Sequence, residues 1–220
     1  MIAKRLCCPI VLLGVLLITF AAGCGGAKSE PAKPATSATP ATTAQATTPS
    51  VGEKKPVLAQ KPGEWKADGL IADNEYSKVQ SLAEVEVFSR IDGDKVRIAL
   101  KAKTNGFVAI GFDPADRING ADVILGFVKD GKASVADMYS TGPTGPHPPD
   151  DQQGGRNDVT VFGGSKKDGI TVIEFERKLV TGDDKDKIIK VGDNKIIWAI
   201  GDVEAFAGRH TKRGSGVLKL

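Results

Sequence analysis

The sequence predicts an all-β fold, an antiparallel β-sandwich built from residues 63–220. Three observations carry that expectation. Charged and apolar residues alternate over Glu84–Phe88 and Lys95–Lys101, the pattern of strands with one face in the core and one in water. Turn chemistry recurs between short apolar runs, as in Asp92-Gly93-Asp94 and Lys129-Asp130-Gly131-Lys132. No stretch shows helical apolar periodicity.

The elements follow in order. Glu84–Phe88 and Lys95–Lys101 form a hairpin through the Asp92–Asp94 turn. Gly106–Phe112 and Val123–Val128 are apolar at nearly every position, as strands covered on both faces are. The next turn leads into Ala133–Ser140. Asp158–Phe162, Ile170–Glu176, Lys195–Ile200 and Gly216–Leu220 complete the set, with the last apolar run read as a paired strand. Many short strands separated by short turns argue for a sandwich, and the block is long enough for one domain with its own core.

Residues 1–62 are a different material. Lys4 and Arg5 precede the apolar run Pro9–Ala22, which is too short to favour a membrane-spanning helix and reads as an export signal over residues 1–23. The run ends in Ala21-Ala22-Gly23-Cys24, which resembles a bacterial lipobox, so Cys24 is the expected lipidation site. An ordinary signal peptide cut nearby is the alternative. Lipidation would anchor the protein to the cell membrane or outer membrane, outside the cytoplasm. Residues 24–62 are rich in Ala, Thr, Pro and Lys with few large apolar residues, the composition of a disordered tether spanning ~30–36 Å.

Cysteine usage agrees with export. Cys7 and Cys8 fall inside the signal, so the mature chain is expected to carry no disulfide and no thiolate metal site. The formal net charge is +3, and removal of Lys4 and Arg5 leaves +1. Acidic and basic residues are interleaved, and no basic stripe with aromatics points to nucleic acid.

Several segments, taken in order, carry a family resemblance. Gly69-Leu-Ile-Ala-Asp-Asn-Glu-Tyr76 precedes the first long strand, and Gly106-Phe-Val-Ala-Ile-Gly-Phe-Asp-Pro114 leads to Gly120-Ala-Asp-Val-Ile-Leu-Gly126. Val135–Ser140, Asp150–Gly155, Ile170–Arg177, Thr181–Asp183, Ile196–Gly201 and Arg209–Gly214 follow. Together they resemble the DOMON domain, a secreted module whose members carry haem b or a sugar-like ligand. The resemblance implies an immunoglobulin-like β-sandwich and a binding module rather than an enzyme.

Haem-carrying DOMON domains hold iron between a methionine and a histidine, and the resemblance places that histidine at His210. At the methionine position this chain has Ile118, which offers no donor atom. Beyond His210, the soft or imidazole ligands left after export are Met138 and His147. Met138 is read either as a second iron ligand or as a core gap-filler, the commoner use of methionine. His147, held in Gly145-Pro-His-Pro-Pro149, is read either as a ligand or as an idle loop residue. A five-coordinate or bis-histidine haem is compatible with this set.

Other chemistry finds less support. Asp113, Asp116, Asn119 and Asp122, and separately Thr181–Asp186, miss the spacing of an EF-hand loop and read as turn and capping residues. No Gly-x-Ser-x-Gly elbow, phosphate loop or His-Glu-x-x-His motif occurs, so no enzymatic activity is expected. The expected function is haem b binding for electron transfer at the envelope, with a redox partner protein. The alternatives are a sugar or small-ligand module, with Trp198, Trp65 and Phe112 as stacking surfaces, and a structural or partner-docking domain without haem.

Overall fold

The computed structural model describes residues 63–220. The export segment, Cys24 and the tether lie outside the described residues. Ten strands form two antiparallel five-stranded sheets packed as a β-sandwich. The first sheet, in spatial order, contains β1 (Lys78–Leu82), β2 (Val85–Asp92), β3 (Lys95–Ala102), β8 (Ile170–Lys178) and β7 (Val161–Lys167). The second runs β10 (Lys212–Lys219), β9 (Asp193–Ile200), β4 (Val108–Phe112), β5 (Asp122–Lys129) and β6 (Lys132–Tyr139). The only helical turn among the described residues is a single 3-10 turn at Asp150–Gln152.

Turn geometry sets the registers. Asp130-Gly131 joins β5 to β6 and Asp168-Gly169 joins β7 to β8. All four of these residues have positive φ, as the two-residue turn that matches strand twist requires. Alternate residues then share a face. Val87, Ile98, Leu100, Ile173 and Phe175 of the first sheet meet Ile110, Ile124, Ile196 and Leu218 of the second in one buried core.

The second sheet is apolar on its other face too. Phe107, Ala109, Val123, Leu125, Phe127, Ala136 and Met138 form a separate buried cluster there. This explains why β4 and β5 lack alternation: loops cover their outer side. The first sheet instead carries charged residues outward, where Lys95 and Arg97 bind Glu176 at 2.6 and 2.8 Å.

The strands differ from those the sequence predicts at three places. β1 was not expected, because Lys78-Val-Gln-Ser-Leu82 has exposed positions on both faces. β7 starts at Val161 rather than Asp158, and β10 starts at Lys212 rather than Gly216. The opening of β10, Lys-Arg-Gly-Ser-Gly, has no apolar alternation, yet Gly214 and Gly216 let it pass close over Trp198 and Leu82. One further contact ties the two sheets together: Gln80 of β1 donates to Val217 O at 2.6 Å and accepts from Lys219 N at 3.1 Å.

Candidate functional site

The outer face of the second sheet holds a cavity of about 440 Å³, within the range of small-molecule sites. Its floor is made of small or short outward residues. Ala109 lies beside Ala199, and Gly111 beside Ile197 and Val123. A Cβ on Gly111 would come within 2.8 Å of Ile197 and 3.2 Å of Val123, so the glycine lets those side chains close over the strand.

Three loops build the walls. The β4–β5 loop supplies Arg117 and Ile118 from a tight turn, in which Arg117 has φ +54° and Asn119 N donates to Asp116 O at 2.8 Å. The β6–β7 loop supplies His147, and the β9–β10 loop supplies His210, with Arg213 beside it at the start of β10. Both histidines of the chain therefore face one cavity. No acidic residue lines it among the described residues.

The two histidines are held differently. Pro146 O and Pro148 O accept from Thr141 N and Tyr139 N at 3.2 Å, pinning the proline-rich loop back along the end of β6. Gln153 Nε2 adds bonds to Pro148 O at 2.7 Å and Tyr139 O at 3.1 Å. His147 Nδ1 is buried and has no hydrogen-bond partner. Burial pulls the His147 pKa below its usual value, a nearby charge on His210 lowers it further, and its own backbone partly offsets both. His147 is therefore neutral at neutral pH, the state in which imidazole binds metal. His210 is exposed at the mouth, with Nε2 3.3 Å from Arg213 Nη1.

The remaining residues singled out in the sequence lie elsewhere. Met138 is buried in the outer cluster and does not line the cavity. Ile118 packs on the same cluster and forms part of the wall. Phe112 and Trp198 belong to the core between the sheets, although Trp198 reaches the cavity lining from the core side. Trp65 sits over Arg97 and donates to Tyr76 Oη at 2.8 Å, on the far side of the sandwich.

A DOMON domain model matches residues 81–201. The chain belongs to the DOMON family. Its relatives include DBH-like monooxygenase protein 1 of Mus musculus, 33% identical over 107 residues, covering 49% of this chain and 17% of that protein. The Homo sapiens protein of the same name is 32% identical over 132 residues, covering 58% of this chain and 21% of its own length. This DOMON chain thus spans about a fifth of the curated relatives it matches. Solved structures similar to it include the cytochrome b domain of pyranose dehydrogenase from Coprinopsis cinerea, with TM-score 0.47 and 15% identity over 61% of this chain and 75% of that one. The cytochrome domain of Myriococcum thermophilum cellobiose dehydrogenase has TM-score 0.43 and 11% identity, over 61% and 73% of the two chains.

Sequence reasoning did not single out the small residues of the DOMON cavity floor or Arg117. A signal was present. Ala109, Gly111 and Ala199 would be unremarkable alone, but they recur at outward positions of strands whose inward positions are large.

Proposed function

We propose that the outer cavity holds haem b, with His210 and His147 as iron ligands, and that the domain carries electrons. One observation carries this reading. A single apolar cavity without carboxylates brings together the chain's two histidines and two arginines. Haem is an apolar macrocycle with a metal centre and two carboxylates, so the cavity offers a partner for each part. Arg117 and Arg213 would meet the propionates as charge-assisted donors. His147 offers a neutral imidazole with a buried, unpartnered nitrogen. When bound, iron held by two protein ligands serves electron transfer rather than oxygen activation. Met138 fills the outer cluster in this reading.

The test is a visible spectrum of residues 63–220 purified with haem supplied. A sharp Soret band that shifts on dithionite reduction and is lost in His210→Ala is the expected result. A colourless protein that refuses haem would overturn the reading. It would favour a non-redox small-ligand module in the same cavity, the alternative that Ile118 at the methionine position supports.

The same proposal places the domain outside the cytoplasm, anchored through lipid on Cys24 and serving a redox partner protein rather than catalysing a reaction itself. The lipobox-like Ala21-Ala22-Gly23-Cys24 supports the anchor. Labelled palmitate should enter the full chain in cells and not its Cys24→Ser variant.

A further inference from the structure

Opposite the cavity, at one end of the sandwich interior, three buried or half-buried carboxylates converge. Asp122 opens β5, and Asp137 lies on β6, paired with Ile124. Alternation puts both side chains on the inner face, as diagonal neighbours. Asp186 comes from the segment between β8 and β9. One oxygen from each of the three lies within 4.8 Å of the others. That is the span of a single sphere of oxygen ligands around calcium, which binds oxygen at about 2.3–2.6 Å.

The hydrogen bonds leave one oxygen of each carboxylate free. Asp122 Oδ2 accepts from Arg177 Nη1 and from Lys187 N. Asp137 Oδ2 accepts from Asp158 N at 2.9 Å, and Asp186 Oδ1 lies 3.4 Å from Arg177 Nη1. Asp122 Oδ1, Asp137 Oδ1 and Asp186 Oδ2 are buried without a partner. Asp150 is fully buried, and neither of its side-chain oxygens has a donor. An unpartnered buried carboxylate oxygen is costly, and four residues sharing the defect point to a missing positive charge.

The surrounding cations do not supply it. Arg177 is the one guanidinium buried among the three carboxylates, its Nη2 bound to Lys187 O at 2.6 Å. Three carboxylates against one guanidinium leave a deficit of two charges. Lys185 and Lys187 direct their ammonium groups over the Tyr139 ring, at 5.3 and 5.7 Å. Arg156 is on the periphery, 3.4 Å from Asp158.

We propose that Asp122, Asp137 and Asp186 form a calcium site. The deficit calls for a divalent ion. All-oxygen, irregular ligation with no histidine or cysteine selects a hard cation, and the flexible shell of calcium suits it better than the strict octahedron of magnesium. The ion would tie β5 and β6 to the segment that carries Asp186. This site stands whatever the outer cavity binds.

Calorimetry on the EDTA-treated full chain, titrated with calcium chloride and separately with magnesium chloride, tests the proposal. One calcium per chain, a rise of several degrees in Tm on adding calcium, and a much weaker response to magnesium are expected. Asp137→Asn should abolish the calcium-dependent rise while leaving the metal-free Tm unchanged or higher. A merely structural carboxylate would not behave so. If Asp137→Asn does not fold, Asp186→Asn replaces it, since the amide oxygen can still accept from Arg177, and it should weaken calcium binding at least tenfold. The proposal is overturned by no calcium heat and no Tm shift, by an equal response to magnesium, or by calcium binding that both variants retain unchanged.

Discussion

Arg177 shows how far a single side chain reaches. It is 1% exposed, at the end of β8, and holds Asp122, Asp186 and the backbone of Lys187 at once. Its pKa is raised by the carboxylates around it, against the opposing effect of burial, so it stays charged. Arg177→Met would leave those carboxylates without their guanidinium, and removing one partner of a buried pair costs about 3–5 kcal/mol. Urea unfolding in EDTA should show a loss of that order. His147 is the corresponding residue in the cavity. With haem supplied, His147→Ala should keep the pigment but change its spectrum to that of iron lacking one ligand, whereas His210→Ala should lose it.

Among the elements, the segment ahead of β1 has the tightest fit. It crosses the outer face of the first sheet, where Gly69 N donates to Glu174 at 2.6 Å and Tyr76 Oη donates to the same carboxylate at 2.7 Å. A Cβ on Gly163 would lie 1.8 Å from Ala67 O, a backbone atom that cannot swing aside. Gly163→Ala should therefore destabilise the domain by about 1–3 kcal/mol in urea unfolding, the range for overpacking. This docking was not legible in the sequence, where Gly163 and Gly164 fall just past the strand expected over Asp158–Phe162. Strands with a wet face were legible because their alternation records it. β1 and the start of β10 were not, since each is held by contacts from residues far along the chain. The candidate sites divide the same way. His147 and His210 were visible as residues, but their common cavity depends on two loops meeting over the second sheet. Asp122 and Asp186 each sat in an acid-rich segment that, taken alone, reads as turn chemistry. Only the fold brings one from each beside Asp137.

For the molecule as a whole, the acidic cluster sets a pH dependence. Burial, reinforced by Asp122 and Asp186, pushes Asp137 up to about 8, and burial with Asp122 pushes Asp150 up to about 7. Burial also raises Asp186, to about 6, against the opposing charge of Arg177. Each folded value lies above the unfolded carboxylate value of about 3.9. Between about pH 4 and 8 these three carboxylates thus bind more protons in the folded chain than in the unfolded one, and their contribution to stability falls as pH rises. Urea midpoints in EDTA should decline from about pH 5 to about pH 8, with most of the decline removed by calcium.

The Gln80 clasp bears on how copies of the chain tolerate one another. The groups it engages, Val217 O and Lys219 N, lie on the edge of β10 that no strand of its own sheet covers. They are the groups an incoming strand would use to start a ladder. A side-chain amide already occupies them, so crowded neighbours meet a capped edge there instead of a template for intermolecular sheet growth.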